Sequence, residues 1–201
     1  MISRVNRRRP ALPVIAIVAV PVVLMTGGCG TRLFSIAQQV LGGLHPIESG
    51  VPDNEYRAEV SSWNSISAQY EDEVILLINQ HRAGGASCGS EGEFAPAGPL
   101  TANDALRCAA RKHSLDMSVN GFFDHDNLDG EGPDERIAEA GYAGSTWGEN
   151  IAYGSLSPAQ VVEGWMNSPG HCANIMYPDF TEIGVGHYSP TNHWTTTFGA
   201  E

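Results

Sequence analysis

The stretch Ser168 to Met176 reads Ser-Pro-Gly-His-Cys-Ala-Asn-Ile-Met, and it follows a helical pattern that ends near Trp165. It predicts a short turn, bounded by proline and glycine, that presents His171. Upstream stand two further polar segments, Phe-Phe-Asp-His over residues 122–125 and Gly-Glu-Asn over residues 148–150. No apolar pattern requires a histidine or a glutamate in these irregular segments, so we expect the side chains to converge in a cleft. Such a cleft would bind a metal or move protons.

The first 28 residues have the features of an export signal. Four arginines give the segment a positively charged start. The apolar stretch from Ala11 to Met25 is too short, and too interrupted by proline, to be a membrane span. It ends in Leu-Met-Thr-Gly-Gly-Cys over residues 24–29, where small residues precede the cysteine as a lipoprotein signal peptidase requires. We therefore expect Cys29 to carry diacylglycerol. Ordinary secretion is the alternative, because Thr26 stands where such signals more often have an aliphatic residue.

The charge of the chain excludes one class of partner. Removal of residues 1–28 takes away four of the 11 basic residues and none of the 23 acidic ones, which leaves a formal charge of −16. This field repels phosphate backbones and anionic membrane surfaces, so we expect no nucleic-acid partner. Contact with a membrane would come only through an acyl anchor on Cys29.

The rest of the chain divides into a tether and one domain. Residues 29–65 carry Gly, Pro, Ser and scattered charge without a sustained period, which predicts a flexible tether. Residues 66–201 have the length of one ordinary domain, which we expect to be a monomer.

Within this domain the periodicity predicts four helices and one antiparallel hairpin. The helices are expected over about 69–82, from Thr101 onward, over about 133–141 and from Ser157 onward, and the hairpin strands around 183–187 and 194–198. His113 falls on the buried stripe of the second helix, where we expect it to hydrogen-bond a neighbouring loop. Helices before and between strands, without βαβ regularity, indicate an α+β fold.

Three cysteines remain in the domain, and export permits a disulfide between two of them. Cys88 lies in a Gly-rich loop and Cys172 lies in the His171 turn, so this pair would join two loops. Cys108 falls inside a helical pattern. We favour Cys88–Cys172, with Cys88–Cys108 as the alternative, because spacing does not determine connectivity.

Six segments, in order, resemble the CAP superfamily, also called the SCP domain, which includes cysteine-rich secretory proteins, antigen 5 and plant pathogenesis-related proteins. The bacterial branch is the most similar. The matching segments cover residues 78–82, 110–117, 123–125, 148–152, 165–171 and 180–186. The resemblance implies a three-layer α-β-α sandwich with an antiparallel sheet, in agreement with the α+β pattern.

The resemblance also implies a cleft with two histidines and two glutamates, in which some family members hold a divalent metal. His125 and His171 match the histidines, and Glu149 matches the first glutamate. Ser168 stands where the second glutamate is usual, and a hydroxyl is a poor ligand for zinc. A zinc ion held by His125 and His171 is therefore the cofactor that the resemblance implies. Ser168 in place of the second glutamate weakens the expectation that zinc binds.

The function implied by the resemblance is binding. We expect an exported, lipid-anchored domain whose cleft of His125, Glu149, His171 and Ser168 takes a small apolar or sterol-like lipid, an envelope component or a protein partner. The alternative is a metal- or His/Glu-assisted hydrolase that acts on peptide or envelope substrates. A third possibility is that the polar cluster only joins loops of a structural envelope protein.

Overall fold

A mixed five-stranded sheet forms the middle layer of the protein. The computed structural model describes residues 2–7, 44–45, 60, 62–155 and 157–201. In these ranges the strands are β1 Ile2–Arg7, β2 Leu44–His45, β3 Trp63–Asn64, β4 Ala86–Ser87, β5 Glu93–Phe94, β6 Thr101–Ala102, β7 Thr146–Tyr153, β8 Glu182–Tyr188 and β9 His193–Ala200. The large sheet has the order β1-β7-β9-β8-β6, in which only the β6–β8 pair is parallel. Two short ladders, β2–β3 and β4–β5, stand beside it.

Helices cover both faces of this sheet. They are α1 Ser65–Gly84, α2 Asp104–Asn120, α3 Pro133–Glu139, α4 Pro158–Met166 and α5 Pro169–Met176. One core joins α1, α4 and α5 to the sheet face that carries Val185, Trp194 and Phe198. A second core joins α2 and α3 to Trp147 on the opposite face. The fold is therefore α+β with three layers, and the predicted α-β-α sandwich is confirmed.

Side-chain caps explain where the helices begin. Asn64 accepts hydrogen bonds from the amides of Ile66 and Ser67, so α1 begins at Ser65, earlier than the predicted residue 69. Ser157 caps α4 through the amide of Gln160, as the sequence predicted. The predicted start of the second helix at Thr101 is wrong. Residues 101–102 form strand β6, and Asn103 caps α2 instead.

The hairpin of β8 and β9 is confirmed, and α2 packs very closely on it. Gly184 and Gly186 face α2 so tightly that a Cβ atom at either position would overlap the helix backbone. Ser114 of α2 donates a hydrogen bond to the carbonyl of Gly186 (2.9 Å). Because the two glycines admit the helix backbone, α2 carries His113 directly onto the sheet.

The disulfide Cys88–Cys172 is confirmed, with the two Cα atoms 5.4 Å apart. It links the loop after α1 to α5, across a sequence separation of 84 residues. Arg82 holds the far end of α5 from the other side. Its buried guanidinium donates to the carbonyls of Ile175 (2.7 Å) and Tyr177 (2.9 Å). The disulfide and this arginine together position the helix that carries His171.

Several predictions fall outside the described residues. Residues 8–43 and 46–59, which include Cys29, are not among them, so the lipidation of Cys29 and the boundary of the export signal stay predictions. The tether was predicted to extend to residue 65, but Trp63 of β3 is only 4% exposed and packs in the second core, so the folded domain begins before residue 66. Among the helices of the described ranges, none combines the length and the apolar character that a bilayer crossing needs.

Candidate functional site

Glu149 lies at the centre of a buried polar cluster. The sequence placed it in an irregular segment, but it is the fourth residue of strand β7 and is only 1% exposed. Side chains alternate along a strand, so Glu149 faces the same side of the sheet as Trp147, towards α2 and α3. The strand therefore delivers a carboxylate into the space between two helices.

Arg136 and His125 bind the two oxygens of this carboxylate. Arg136 Nη2 donates to Glu149 Oε2 at 3.0 Å and to Oε1 at 3.2 Å, while His125 Nδ1 lies 2.7 Å from Oε1. Burial by itself would raise the pKa of Glu149, but the Arg136 guanidinium, with His113 and His125, lowers that pKa to about 2. Glu149 is thus an anion at neutral pH, although water does not reach it.

The ionised carboxylate determines the orientation of the His125 ring. A carboxylate only accepts hydrogen bonds, so His125 Nδ1 carries the proton and donates it to Glu149. In the neutral ring, Nε2 then carries the lone pair, and this buried atom has no hydrogen-bond partner among the described residues. Arg136 also donates to the backbone carbonyl of His125 (2.7 Å), which holds the loop in place. The arrangement therefore leaves one basic, oriented nitrogen.

His113 supports the same loop from helix α2. Its Nε2 lies 2.9 Å from the carbonyl of Asp124, the residue before His125, and 3.9 Å from Glu149 Oε1. Burial lowers the pKa of His113 to about 4, so the ring is neutral at pH 7 and Nε2 donates to the carbonyl. The predicted hydrogen bond from His113 to a neighbouring loop is present.

His171 and Ser168 form a second pair, on helix α5. The predicted turn is instead the start of that helix, with Ser168 at the N-cap position. Ser168 Oγ lies 2.7 Å from His171 Nδ1, and the imidazole is buried. A hydroxyl, rather than the usual second carboxylate, is therefore the partner of this ring nitrogen.

Two asparagines join this pair to the strand of Glu149. Asn150 Nδ2 donates to the carbonyl of His171 (3.2 Å), and Asn174 Nδ2 donates to the backbone carbonyl of Glu149 (3.1 Å). The side chains of Glu149 and Asn150 leave opposite faces of β7. The structure therefore brings His125 and Glu149 into direct contact, and it places the Ser168–His171 pair against the adjacent residue of the same strand.

Comparison with known proteins identifies the family of the chain. The sequence profile of the cysteine-rich secretory protein family, CAP, matches residues 75–199. The chain belongs to the CAP family. An uncharacterised Bacillus subtilis protein, YkwD, is 38% identical over 138 residues, which are 69% of this chain and 49% of YkwD. The Bacillus subtilis membrane protein YlbC, also uncharacterised, is 38% identical over 74 residues, or 37% of this chain and 21% of YlbC. The chain thus spans less than half of either relative.

Solved structures share the fold of this CAP domain. An extracellular SCP-domain protein from Bacillus anthracis superposes with a TM-score of 0.61 at 26% identity, over 68% of this chain and 42% of that one. An outer surface protein of Borrelia burgdorferi gives a TM-score of 0.52 at 21% identity, over 68% and 92% of the respective chains. The resemblance deduced from the six sequence segments is confirmed.

Arg136 is the site residue that sequence reasoning missed. It is 2% exposed, and it neutralises Glu149 from helix α3. One feature of the sequence could have indicated it. Basic residues are rare in this chain, and a lone arginine in a short helix that also carries Asp134 and Glu135 is a candidate for a buried partner.

The donor set of the CAP domain does not make a zinc site by itself. Glu149 is engaged by Arg136 and by His125 Nδ1, and Ser168 replaces the second acid. Across the described part of the chain, no group of three or more His, Cys, Asp or Glu side chains is arranged to hold a metal. The zinc ion between His125 and His171 therefore stays a prediction.

Removal of the Glu149 charge is expected to destabilise the protein. Glu149→Gln leaves the buried Arg136 guanidinium without a counter-charge, so we expect a loss of about 3 kcal/mol in the free energy of unfolding, measured in urea. The exposed Glu163→Gln should change this free energy by less than about 0.5 kcal/mol. Adding Arg136→Met to Glu149→Gln should recover part of the loss. A double variant that is less stable by the full sum of the single losses would contradict the pairing.

Two buried histidines predict a loss of stability in acid. Burial lowers the pKa of His113 and of His187 to about 4. The ordinary pKa is about 6.5, so the unfolded chain binds more protons as the pH falls from 6.5 to 4, and the folded state loses stability over that window. We expect a loss of about 2 kcal/mol per histidine between pH 7 and pH 4 in urea unfolding. His187→Gln should flatten this dependence, and the exposed His81→Gln should leave it unchanged. A free energy of unfolding that is constant from pH 7 to 4 would refute the argument.

Proposed function

We propose that this chain is an exported CAP-domain protein that binds a component of the cell envelope at the polar site around β7, where His125 and Glu149 lie on one face of the strand and His171 and Ser168 lie on the other. The observation that supports binding over catalysis is the engagement of Glu149. Its two oxygens already bind Arg136 and His125, and its lowered pKa makes it a weak proton acceptor. The site therefore offers an oriented acceptor, His125 Nε2, while Glu149 itself is not free to act as a general base for hydrolysis.

The binding proposal is tested on the protein as it is recovered from the membranes of its source cells. Native mass spectrometry should show an additional bound mass, a lipid or another envelope component, on the wild-type protein. His125→Ala should lose this mass, because the ligand loses its acceptor. His193→Ala is the matched control, since this half-buried histidine lies in the hairpin and bonds Thr191. Equal retention by His125→Ala and wild type would refute the cleft as the binding site.

An extracytoplasmic location forms part of the same proposal. The similar Bacillus anthracis protein is described as extracellular and the Borrelia protein as an outer surface protein, which supports export of this chain. We propose that an acyl chain on Cys29 holds it at the membrane. Cys29→Ser should move the protein from the detergent phase to the aqueous phase in a Triton X-114 partition. An unchanged partition would exclude the acyl anchor.

A hydrolase is the second candidate, and the Ser168–His171 pair is the observation that favours it. A serine nucleophile needs a base within hydrogen-bond reach, and these atoms are 2.7 Å apart. The bond uses Nδ1, however, whereas the serine of a typical triad bonds Nε2 and a carboxylate holds Nδ1. A fluorophosphonate probe separates the candidates. Labelling of the wild type that Ser168→Ala abolishes would establish a serine hydrolase, and no labelling would exclude Ser168 as a nucleophile.

A further inference from the structure

The outer edge of β7 lacks the features that commonly prevent an edge strand from pairing with another strand. In the described sheet, β7 carries the central strand β9 on one side and only β1 on the other. The strand from Thr146 to Tyr153 contains no proline and no lysine, the residues that commonly block an edge. Its single charged side chain is Glu149, which is buried and paired with Arg136. At the opposite edge of the sheet, β6 is only two residues long.

The chain's own N-terminal segment shows how this edge is used. Residues 2–7 pair antiparallel with β7 in continuous register, from Ile2 opposite Ile151 to Arg7 opposite Thr146. In this register Arg4 lies opposite Glu149. The same segment packs against α5, the helix that carries His171. An extended strand at this edge therefore runs directly beside the His/Glu cluster.

The occupying segment belongs to the part of the chain that the sequence predicts to be removed. Loss of residues 1–28 would leave about half of the β7 backbone groups without partners on that side, because alternate groups of an edge strand point outward. A peptide adds as a further strand where an edge has unpaired backbone groups, apolar neighbours and no blocking residues. The edge is thus occupied in the full chain and open once the signal is cleaved.

We propose that the outer edge of β7 is a docking site for an extended, basic polypeptide segment of a partner protein, which adds as a further antiparallel strand beside the cleft. This deepens the proposed binding function, on which it rests, by naming a polypeptide as the partner. The charge supports a basic segment. Residues 2–7 contain two arginines and no acid, and the chain beyond residue 28 has a formal charge of −16. Opposite charges favour encounter and orientation.

The test uses amide hydrogen exchange of the full chain, followed by NMR. Val5→Pro removes a backbone donor from the middle of β1, and proline is poorly tolerated in a paired strand. We expect this variant to exchange the outward-facing amides of residues 146–151 at least about 10-fold faster than the wild type. Amides that pair with β9 are the internal control and should keep their protection.

A synthetic peptide then tests docking in trans. The capped peptide Ile-Ser-Arg-Val-Asn-Arg, at millimolar concentration, should restore protection to the Val5→Pro chain. The peptide with proline at its second and fourth positions should not, and replacing both arginines by glutamate should weaken binding several-fold. Equal effects of these three peptides would overturn the proposal. So would a Val5→Pro chain that dimerises through this edge instead, or one with unchanged exchange.

The His125→Ala variant separates this proposal from the cleft proposal. Peptide binding at the edge uses backbone groups of β7, so the peptide should protect a Val5→Pro/His125→Ala chain as well as Val5→Pro alone. Retained peptide protection together with lost envelope ligand would confirm both sites. Lost peptide protection in the double variant, with the fold intact by circular dichroism, would show that the edge is not an independent docking site.

Discussion

Gly184→Ala and Gly186→Ala should each destabilise the protein more than Glu149→Gln does. A Cβ atom at residue 184 would overlap backbone atoms of Leu106 and Arg107, and one at residue 186 would overlap those of Ala110 and Arg111. Backbone cannot rotate away as a side chain does, so the whole of α2 must move off the sheet. We expect a loss of at least about 4 kcal/mol in the free energy of unfolding, or failure to fold.

The measurement is urea unfolding followed by circular dichroism, with Gly84→Ala as the matched control. Gly84 ends α1, and a Cβ atom there would meet nothing within 4 Å. Alanine in a helix should leave stability unchanged or raise it by up to about 1 kcal/mol. If the protein does fold, displacement of α2 should also weaken the His113 contact with the loop of His125. Stability within about 1 kcal/mol of the wild type would contradict the close packing of α2 on β8.

Removal of the Cys88–Cys172 disulfide is expected to cost about 4 kcal/mol. The bond joins residues 84 positions apart, so it excludes many extended conformations from the unfolded chain. The change is Cys88→Ala combined with Cys172→Ala, and the measurement is urea unfolding under oxidising conditions. Because Cys172 follows His171, loosening of α5 should also increase amide exchange at residues 169–176.

The control for the disulfide variant lies on the same loop. Ser90→Ala removes an exposed hydroxyl two residues after Cys88, and it should change the free energy of unfolding by less than about 0.5 kcal/mol. A double cysteine variant that unfolds at the same urea concentration as the wild type would show that the bond does not stabilise the folded domain.

Local sequence features predicted much of the fold, because local interactions determine where many helices begin and where the hairpin turns. Ser157 and Pro158 mark the start of α4 through a cap and a fixed φ angle, and both act within one turn of the helix. The hairpin of β8 and β9 has apolar residues in alternation and a polar turn, where Asn192 adopts a positive φ of 51°. The family match also depends on short segments in order, so the sequence alone sufficed for the α+β sandwich.

Strand β7 escaped prediction because both of its faces are buried. Residues 147–152 are all buried, so the alternation of polar and apolar residues that marks a half-exposed strand is missing. Glu149 and Asn150 are polar because each has a specific partner on its own face, Arg136 on one side and Asn174 on the other. Those partners are distant in sequence, so no local pattern indicates them.

The sequence by itself determined four of the five described helices, the hairpin, the family and the residue types of the site, since these depend on neighbours within a few positions or on motif order. Only the tertiary structure decided that Arg136 neutralises Glu149, that the carboxylate orients His125, and that His171 bonds Ser168 from a helix on the other face of β7. The physical reason is desolvation. A buried charge must find its counter-charge wherever the packed elements bring one, and that choice is made in three dimensions.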